Sequence, residues 1–352
     1  MRNLGDTVGR LAARRAAMAA AGTTRSRRSA LTEMTGFGSN PGDLRAWHFV
    51  PTGLEPGAPL VVVLHGCTQT AGDYDHGTGW SALAEAEGFA LLFAEQTRSN
   101  NPNLCFNWFV PADIRRGGGE VESIRQMVEA MVRTLDVDRD RIFVTGLSAG
   151  GAMAASMLAT APDLFAGGAI IAGMPHGVAG TMSEAFDRMR GAGLPEPAKV
   201  AALVRNASSH TGSWPTLSIW HGSADNTVDV ANAETLAAGW ASLHGLSAPS
   251  GAERINGHMR RFWRDPQGKA VIEAVIINGM GHGAPITVRG AEACGMPGSF
   301  MLETGVSSTR RIAAFWGIAP AVVDTGATAP IAAPSGIEAI IGNALRQAGL
   351  LR

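Results

Sequence analysis

The sequence has no excess of either charge, since its 29 lysine and arginine residues are balanced by 30 aspartate and glutamate residues. Nucleic acids and anionic membrane surfaces attract proteins with a strong basic excess, so we expect neither as the main partner. The sequence also lacks an apolar run of the roughly 18 residues that a membrane-spanning helix requires. We therefore expect no membrane span, and 45% hydrophobic residues are enough for a sizeable core.

The amino-terminal stretch differs from the rest of the chain in composition. Seven arginines precede residue 30 and surround an alanine-rich segment. A secretion signal needs an uninterrupted apolar core and a cleavage site, and Arg14 and Arg15 break the only candidate core. We therefore interpret residues 1–35 as a basic arm or helix and expect a cytoplasmic protein.

The carboxyl-terminal stretch is predicted to form a linker and a helix. Residues 321–334 are rich in Ala, Pro and Thr, which is typical of a linker. Residues 335–352 place Ile337, Ile340 and Leu345 on one side of an amphipathic helix. Because so short a helix is not stable alone in water, we expect it to dock on its own domain, a second subunit or an apolar granule surface.

Between the termini, short apolar segments alternate with helical periods, which predicts an α/β fold. Residues 60–64 form an apolar Leu-Val-Val-Val-Leu run, typical of a strand buried on both faces. Residues 121–135 have apolar side chains three and four positions apart, as in a helix with one apolar face. Such alternation predicts a mostly parallel central sheet flanked by helices. We assign residues 36–320 to this domain, with a cap-like insertion at 178–213, where no strand pattern is visible. The other predicted strands are 46–50, 89–94, 142–144, 169–172, 217–220 and 274–277, and the other predicted helices are 152–161 and 232–243.

The pentapeptide Gly-Leu-Ser-Ala-Gly at residues 146–150 follows a predicted strand and precedes a predicted helix. This is the context of a nucleophile elbow, a sharp turn that exposes a serine hydroxyl above the sheet. Glycine is needed two positions to either side of the serine, because a side chain there would clash in so tight a turn. We predict Ser148 as the nucleophile, and a chance glycine-rich turn is the alternative.

A serine hydroxyl needs a positioned base and an acid that orients this base. In α/β hydrolases the acid and then the histidine follow the serine along the chain. Asp225 ends the sequence His-Gly-Ser-Ala-Asp directly after a predicted strand, so its carboxylate should reach the same sheet edge as Ser148. Asp229 is the competing carboxylate, and we expect it to cap a helix or to lie at the surface.

Three histidines follow this acid, and His282 is the best candidate for the base. It lies in Gly-Met-Gly-His-Gly at residues 279–283, where the flanking glycines let the loop reach the serine. We expect His244 and His258 at the surface. His221 precedes the acid at a strand end, and we expect it to be structural.

Hydrolysis through a tetrahedral intermediate needs N–H groups that bind its oxyanion. We predict the backbone N–H of Ala149, which follows the nucleophile, and that of Cys67, in the loop after the strand at 60–64. We expect the side chains of His65 and Gln69 to shape this loop. No cluster of His, Cys and Asp has metal-ligand spacing, so we expect no metal.

Four motifs are specific enough to point to a known family. They are His-Gly-Cys-Thr-Gln-Thr at 65–70, Cys-Phe-Asn-Trp-Phe at 105–109, Gly-Leu-Ser-Ala-Gly-Gly at 146–151 and His-Gly-Ser-Ala-Asp at 221–225. Together they resemble the poly(3-hydroxybutyrate) (PHB) depolymerase family of esterases, which is related to feruloyl and acetyl-xylan esterases. The resemblance spans about residues 36–318. It implies an α/β-hydrolase fold, ester substrates, no cofactor and a triad of Ser148, Asp225 and His282.

Aromatic side chains are candidate substrate contacts. Trp108 lies in the motif that the resemblance places near the catalytic face, and Trp214 lies close to the end of the inserted segment. Asn107 is a candidate polar support for the loops. For both tryptophans, the alternative is a place in the core.

An odd number of cysteines leaves at least one of Cys67, Cys105 and Cys294 unpaired in a monomer. Parallel neighbouring strands bring the loops at their carboxyl ends together, so a disulfide between Cys67 and Cys105 is sterically reasonable. The alternative is two reduced, buried thiols in a reducing cytoplasm. A disulfide would favour a secreted protein over a cytoplasmic one.

These observations favour a serine carboxylic ester hydrolase that works through an acyl-enzyme. Its expected substrates are poly- or oligo-hydroxyalkanoates or other short-chain esters, and feruloyl or acetyl-xylan esters are the alternative. A peptidase is a further alternative that no residue decides. A non-catalytic binding relative is the remaining alternative, and the intact Ser148, Asp225 and His282 argue against it.

Overall fold

The computed structural model describes residues 30–322 of the chain. Within this range, no helix is long and apolar enough to cross a membrane. Most of the predicted arm, most of the predicted linker and the predicted carboxyl-terminal helix lie outside the described residues.

The strands are β1 (Thr32–Met34), β2 (Arg45–Phe49), β3 (Ala58–Leu64), β4 (Ala90–Glu95), β5 (Val137–Leu147), β6 (Gly167–Ile171), β7 (Thr216–Gly222), β8 (Gly251–Ile255), β9 (His258–Arg264), β10 (Ala270–Ile277), β11 (Ala284–Ile286) and β12 (Met301–Glu303). The helices are α1 (Ala71–Thr78), α2 (Trp80–Glu87), α3 (Gly119–Thr134), α4 (Ala149–Thr160), α5 (Met182–Met189), α6 (Pro197–Asn206), α7 (Ala231–Leu243) and α8 (Ser308–Phe315).

One ten-stranded sheet forms the centre of the domain, in the order β1-β2-β4-β3-β5-β6-β7-β10-β9-β8. The six strands from β4 to β10 in this order run parallel to one another. The two strands at each edge are antiparallel to their neighbours. The mostly parallel sheet predicted from the sequence is therefore confirmed, and its antiparallel edges extend it on both sides.

The sheet is covered by helices on both faces, and β3 shows how its residues divide between them. Leu60, Val62 and Leu64 belong to the apolar core beneath α3, α4, α6 and α7. Val61 and Val63 belong to the core on the opposite face, beneath α1, α2 and α8. All five side chains are fully buried. Because both faces are covered, the strand is an uninterrupted apolar run instead of an alternating one.

The elements agree with the periodicity of the sequence where the pattern is strong and differ where it is weak. Helix α3 carries the predicted apolar stripe, which is buried against the sheet. Helices α1 and α2 have no such stripe and are absent from the sequence-based assignment. The predicted domain start at residue 36 is wrong, because β1 already pairs with β2. Its residues are mostly exposed, so this edge strand lacks an apolar signature.

The predicted site residues follow the carboxyl ends of three parallel strands. Ser148 follows β5, Asp225 lies in the loop after β7, and His282 lies in the loop after β10. The segment at 178–213 contains α5 and α6 and no strand. It joins β6 to β7. The fold therefore brings residues from distant parts of the chain together at the carboxyl ends of the parallel strands.

Candidate active site

The turn at Ser148 has an unusual backbone conformation. Its φ angle is +57°, a region that residues with a side chain rarely adopt and that costs about 1–3 kcal/mol. The turn is held by a hydrogen bond of 2.8 Å from the Ser148 N–H to the carbonyl oxygen of Ile171 on β6. Helix α4 begins at the next residue, so the hydroxyl stands at the amino end of a helix.

The glycines on either side of Ser148 make this turn sterically feasible. A Cβ atom on Gly146 would overlap the backbone of Gly150. A Cβ atom on Gly150 would overlap the carbonyl oxygens of Leu64 and His65. Both positions therefore need glycine for the close approach of backbone to backbone, as the pentapeptide pattern predicts.

The structure brings the three predicted triad residues into one hydrogen-bonded row. The Nε2 atom of His282 lies 2.9 Å from Oγ of Ser148, and its Nδ1 atom lies 2.7 Å from Oδ2 of Asp225. Both distances are within the normal hydrogen-bond range. A row of this kind can move the hydroxyl proton to the imidazole while the carboxylate stabilises the resulting imidazolium.

Asp225 is buried and surrounded by donors. Its Oδ1 atom accepts backbone N–H groups from Thr227 at 2.8 Å and Val228 at 2.9 Å. Burial by itself would raise the pKa of Asp225, but interactions with His221, His282 and the Val228 N–H outweigh burial and hold the pKa well below its usual range. The carboxylate is therefore charged at any pH at which the imidazole can act as a base.

The competing polar residues lie elsewhere, in structural roles. Asp229 lies two positions before the first residue of α7, and its Oδ1 accepts the N–H of Ala231 at 2.8 Å. His244 ends the same helix and faces the carbonyl of Pro215. His258 begins β9 and faces the carbonyl of Thr304.

The loop after β3 carries the second predicted oxyanion donor. No residue in the described part of the chain accepts a hydrogen bond from the N–H of Cys67 or of Ala149. The amide oxygen of Gln69 accepts the N–H of Gly66 at 2.9 Å. Burial lowers the pKa of His65 to about 4, so its ring is neutral. Both side chains shape the loop, and both main-chain N–H groups stay available for a ligand.

A disulfide joins this loop to the loop after β4. Cys67 and Cys105 are bonded, with their Cα atoms 4.2 Å apart. The N–H of Thr68 adds a hydrogen bond of 2.7 Å to the carbonyl of Asn103. Cys294 is a free, buried thiol. Two neighbouring contacts therefore fix the loop with Cys67 to the loop that leads to Trp108.

Trp108 is largely buried beside the start of α4, next to the predicted nucleophile. It is 6% exposed and packs in one apolar cluster with Ala149 and Ala152 of α4. The N–H of Asn107 donates to Glu120 at 2.8 Å, and its side-chain oxygen accepts from Asn101 at 2.9 Å. Asn107 thus supports the loop, and Trp108 forms a wall of the site with little open surface.

The structure does not bring Trp214 to the site. This residue lies two positions before β7 begins at Thr216. Ser148 follows the far end of β5, which is parallel to β7 through β6. Trp214 therefore lies at the amino ends of these strands, opposite to Ser148, where its ring packs on His210.

Phe300 is a neighbour of His282 that the sequence analysis missed. Its ring centre lies 6.0 Å from that of His282 in an edge-to-face arrangement, and the side chain is 38% exposed. The short pairing of β11 with β12 brings it there, since the N–H of Ala284 donates to the Phe300 carbonyl at 2.8 Å. No sequence motif marks this residue, because the contact depends on tertiary pairing.

Among residues 30–322, no group of three His, Cys, Asp or Glu side chains is placed to hold a metal ion. The site offers a serine hydroxyl, an imidazole, a charged carboxylate, the main-chain N–H of Ala149 at the start of α4 and that of Cys67 in the loop after β3. A helix amino end favours negative charge. Together these groups can carry out nucleophilic attack on a carbonyl carbon and stabilise the oxyanion that forms.

A protein-family comparison agrees with this chemistry. The model of the family described as "Esterase PHB depolymerase" matches residues 46–262. The chain belongs to the PHB depolymerase family of esterases. It is accordingly a carboxylic ester hydrolase with the α/β-hydrolase fold.

Individual members of this esterase family and its relatives are similar over most of the chain. Poly(3-hydroxyalkanoate) depolymerase C from Paucimonas lemoignei is 43% identical over 292 residues, which cover 82% of this chain and 70% of the relative. Feruloyl esterase B from Talaromyces stipitatus is 31% identical over 274 residues, 74% of each chain. The solved structure of an acetyl xylan esterase from Aspergillus awamori has a TM-score of 0.66 at 27% identity, covering 72% of this chain and 93% of that one.

The packing at Gly150 generates a stability prediction. Gly150→Ala should lower the free energy of unfolding by about 1–3 kcal/mol, because the added Cβ meets backbone that has to shift. Chemical denaturation followed by tryptophan fluorescence measures this difference. Gly298→Ala is the matched control, since a Cβ there meets nothing within 4 Å. Equal stability of the two variants would contradict the tight elbow.

The disulfide generates a second prediction. Unfolded, unreduced protein should titrate with one free thiol per chain, from Cys294. Cys105→Ser should lower the free energy of unfolding by about 3–4 kcal/mol, because it releases a closed loop with a sequence separation of 38 residues. Cys294→Ser, which leaves the loop closed, is the comparison. Three free thiols in the unreduced protein would show that the bond does not form.

Proposed function

We propose that Ser148 is the nucleophile of an acyl-enzyme mechanism, with His282 as general base and Asp225 as the acid that orients it. The continuous row of hydrogen bonds from hydroxyl to carboxylate supports these roles. In the first half-reaction Ser148 attacks the ester carbonyl and its proton moves to Nε2 of His282. The imidazolium then protonates the leaving alcohol, and a water molecule activated by the same ring hydrolyses the acyl-enzyme.

The oxyanion of both tetrahedral intermediates is bound by the main-chain N–H groups of Ala149 and Cys67 in this proposal. Two observations support it. Neither N–H has an acceptor within the described part of the chain. Each also belongs to a rigid segment, one at the start of α4 and one in a disulfide-bonded loop. Donors that are already in position need no reorganisation when the negative charge develops.

The proposed substrates are hydroxyalkanoate esters, as oligomers or polymer, and other short-chain esters. The 43% identity to a protein named poly(3-hydroxyalkanoate) depolymerase C supports this class. Trp108 and Phe300 are the proposed apolar contacts of the substrate, because one packs beside the nucleophile and the other beside the base. Their size favours a small acyl group at Ser148.

Feruloyl or acetyl-xylan ester hydrolysis is the second candidate. It rests on the similarity to proteins that carry these names, at 31% and 29% identity over about three quarters of this chain. The two candidates share the triad and differ only in the acyl and alcohol groups that they accept. Direct competition between the substrates is therefore needed to separate them.

An oxidising compartment is the proposed location. The Cys67–Cys105 disulfide supports it, since structural disulfides persist outside the reducing cytoplasm. This location replaces the cytoplasmic one expected from the amino-terminal sequence. The docking expected for the carboxyl-terminal helix lies outside the described residues and stays a prediction.

The triad assignment predicts a graded loss of activity. Ser148→Ala should lower kcat for p-nitrophenyl butyrate by roughly 10⁴- to 10⁶-fold with an unchanged melting temperature, because only the attacking oxygen is lost. Asp225→Asn should lower the same kcat about 10⁴-fold. Asp229→Asn is the matched control and should keep wild-type kcat. If Asp229→Asn is inactive and Asp225→Asn is active, the acid has been assigned wrongly.

The substrate class is tested by comparing kcat/KM for four esters under identical conditions. We expect hydroxybutyrate oligomers and p-nitrophenyl butyrate to be better substrates than methyl ferulate and acetylated xylo-oligosaccharides. The Ser148→Ala variant gives the background for each ester. Preference for either plant-type ester would favour the second candidate, and no turnover of any ester would point to the non-catalytic alternative.

A further inference from the structure

Glu120 is a fully buried carboxylate that the catalytic chemistry does not use directly. It lies in the first turn of α3 and has no exposed surface. Its Oε1 atom accepts hydrogen bonds from Gln96 at 2.6 Å and Asn100 at 3.0 Å. Its Oε2 atom accepts the backbone N–H of Asn107 at 2.8 Å. Three donors from two separate parts of the loop after β4 therefore converge on one side chain.

Gln96 connects this carboxylate to the loop that carries Cys67. Its side-chain amide also donates to the carbonyl of Cys105 at 2.9 Å, which fixes the orientation of the amide. Its backbone N–H donates to Nε2 of His65 at 3.1 Å. Because Nε2 accepts, the proton of the neutral ring lies on Nδ1, which donates to the carbonyl of Gly66 at 2.8 Å. Hydrogen bonds therefore lead from Glu120 through Gln96 and His65 to Gly66, the residue before Cys67.

We propose that Glu120 is a positioning residue for the oxyanion site, acting through Gln96 and His65 on the N–H of Cys67. The same carboxylate holds the N–H of Asn107 and with it the loop of Trp108. This inference rests on the proposed role of Cys67 in oxyanion binding. The buried hydrogen bonds of Glu120 and Gln96 thus connect the two loops in addition to the disulfide between Cys67 and Cys105.

The burial of Glu120 argues for a specific role. A buried carboxyl group destabilises a fold unless its hydrogen bonds compensate, and an apolar residue of similar size would fill the space at lower cost. Burial raises the pKa of Glu120 to about 8, although the hydrogen bonds that it accepts oppose this shift. Asp113 adds a like charge nearby. Glutamine keeps one acceptor oxygen, but its NH2 group replaces the second oxygen and cannot accept the donor that this oxygen binds.

Two substitutions at this position test the proposal. Glu120→Leu removes every acceptor and should lower kcat roughly 10- to 100-fold, less than the roughly 100- to 1000-fold that loss of a whole oxyanion donor costs. KM should change little, because the oxyanion forms only after binding. Inhibition by a trifluoromethyl ketone, which binds as a tetrahedral oxyanion, should weaken in parallel with kcat. Glu120→Gln keeps one acceptor oxygen, and its kcat should fall between those of Glu120→Leu and the wild type.

The matched control is Glu273, a carboxylate that is 2% exposed and accepts from Ser218 at 2.6 Å on β7. Glu273→Leu should reduce stability without changing kcat per active site. Active sites are counted in each preparation by a stoichiometric phosphonate burst, so that unfolded protein does not lower the apparent kcat. If Glu120→Leu has wild-type kcat per titrated site and wild-type inhibition by the ketone, the proposal is wrong.

A second variant covers the case in which Glu120→Leu does not fold. Gln96→Leu removes the side-chain amide that donates to Glu120 and to the Cys105 carbonyl, keeps the backbone N–H that donates to His65, and leaves the carboxylate with Asn100 and Asn107. It should show the same parallel loss of kcat and ketone inhibition, and wild-type values would overturn the proposal. The underlying mechanism is judged separately, since a phosphonate that fails to label Ser148 in the wild type would remove the nucleophile assignment itself.

Discussion

The close contact between the serine turn and the end of β3 is the constraint on which the site depends. Gly150 lies directly against the carbonyl oxygens of Leu64 and His65, where no side chain fits. Leu64 ends β3, and His65 begins the loop that carries Cys67. The contact therefore fixes how closely the serine turn approaches that loop.

The loops after β3 and β4 are joined at two places. The disulfide and the Thr68 hydrogen bond join them at one point, and the buried contacts of Glu120 and Gln96 join them at another. Two separate connections should limit the movement of one loop relative to the other. A fixed arrangement of donors is what electrostatic stabilisation of a transition state requires, since movement during the reaction would cost free energy.

The sequence reveals the triad candidates because each one directly follows a buried strand in a distinctive loop. The motif around Ser148 and the glycines around His282 predict the local backbone turns at these residues. Parallel strands then bring both residues to the same ends of the sheet. Trp214 precedes the predicted strand at 217–220, so a parallel sheet already puts it at the amino end of that strand, away from Ser148, and closeness to the insertion was a poor guide to the site. Phe300 and Glu120 make their contacts through tertiary structure, and no local pattern encodes these contacts. The pairing of Cys67 with Cys105 stayed open because the sequence does not decide between a thiol pair and a bond.

The residues of the hydrogen-bonded row come from widely separated parts of the chain. Ser148 and His282 are 134 positions apart, and Asp225 and His282 are 57 apart. Their strands β5, β7 and β10 are not all neighbours, because β6 lies between the first two. His282 follows β10, so its contact with Ser148 depends on the pairing of β10 with β7. A chain cut before β10 would keep Ser148 and Asp225 but lose the imidazole that lies between them.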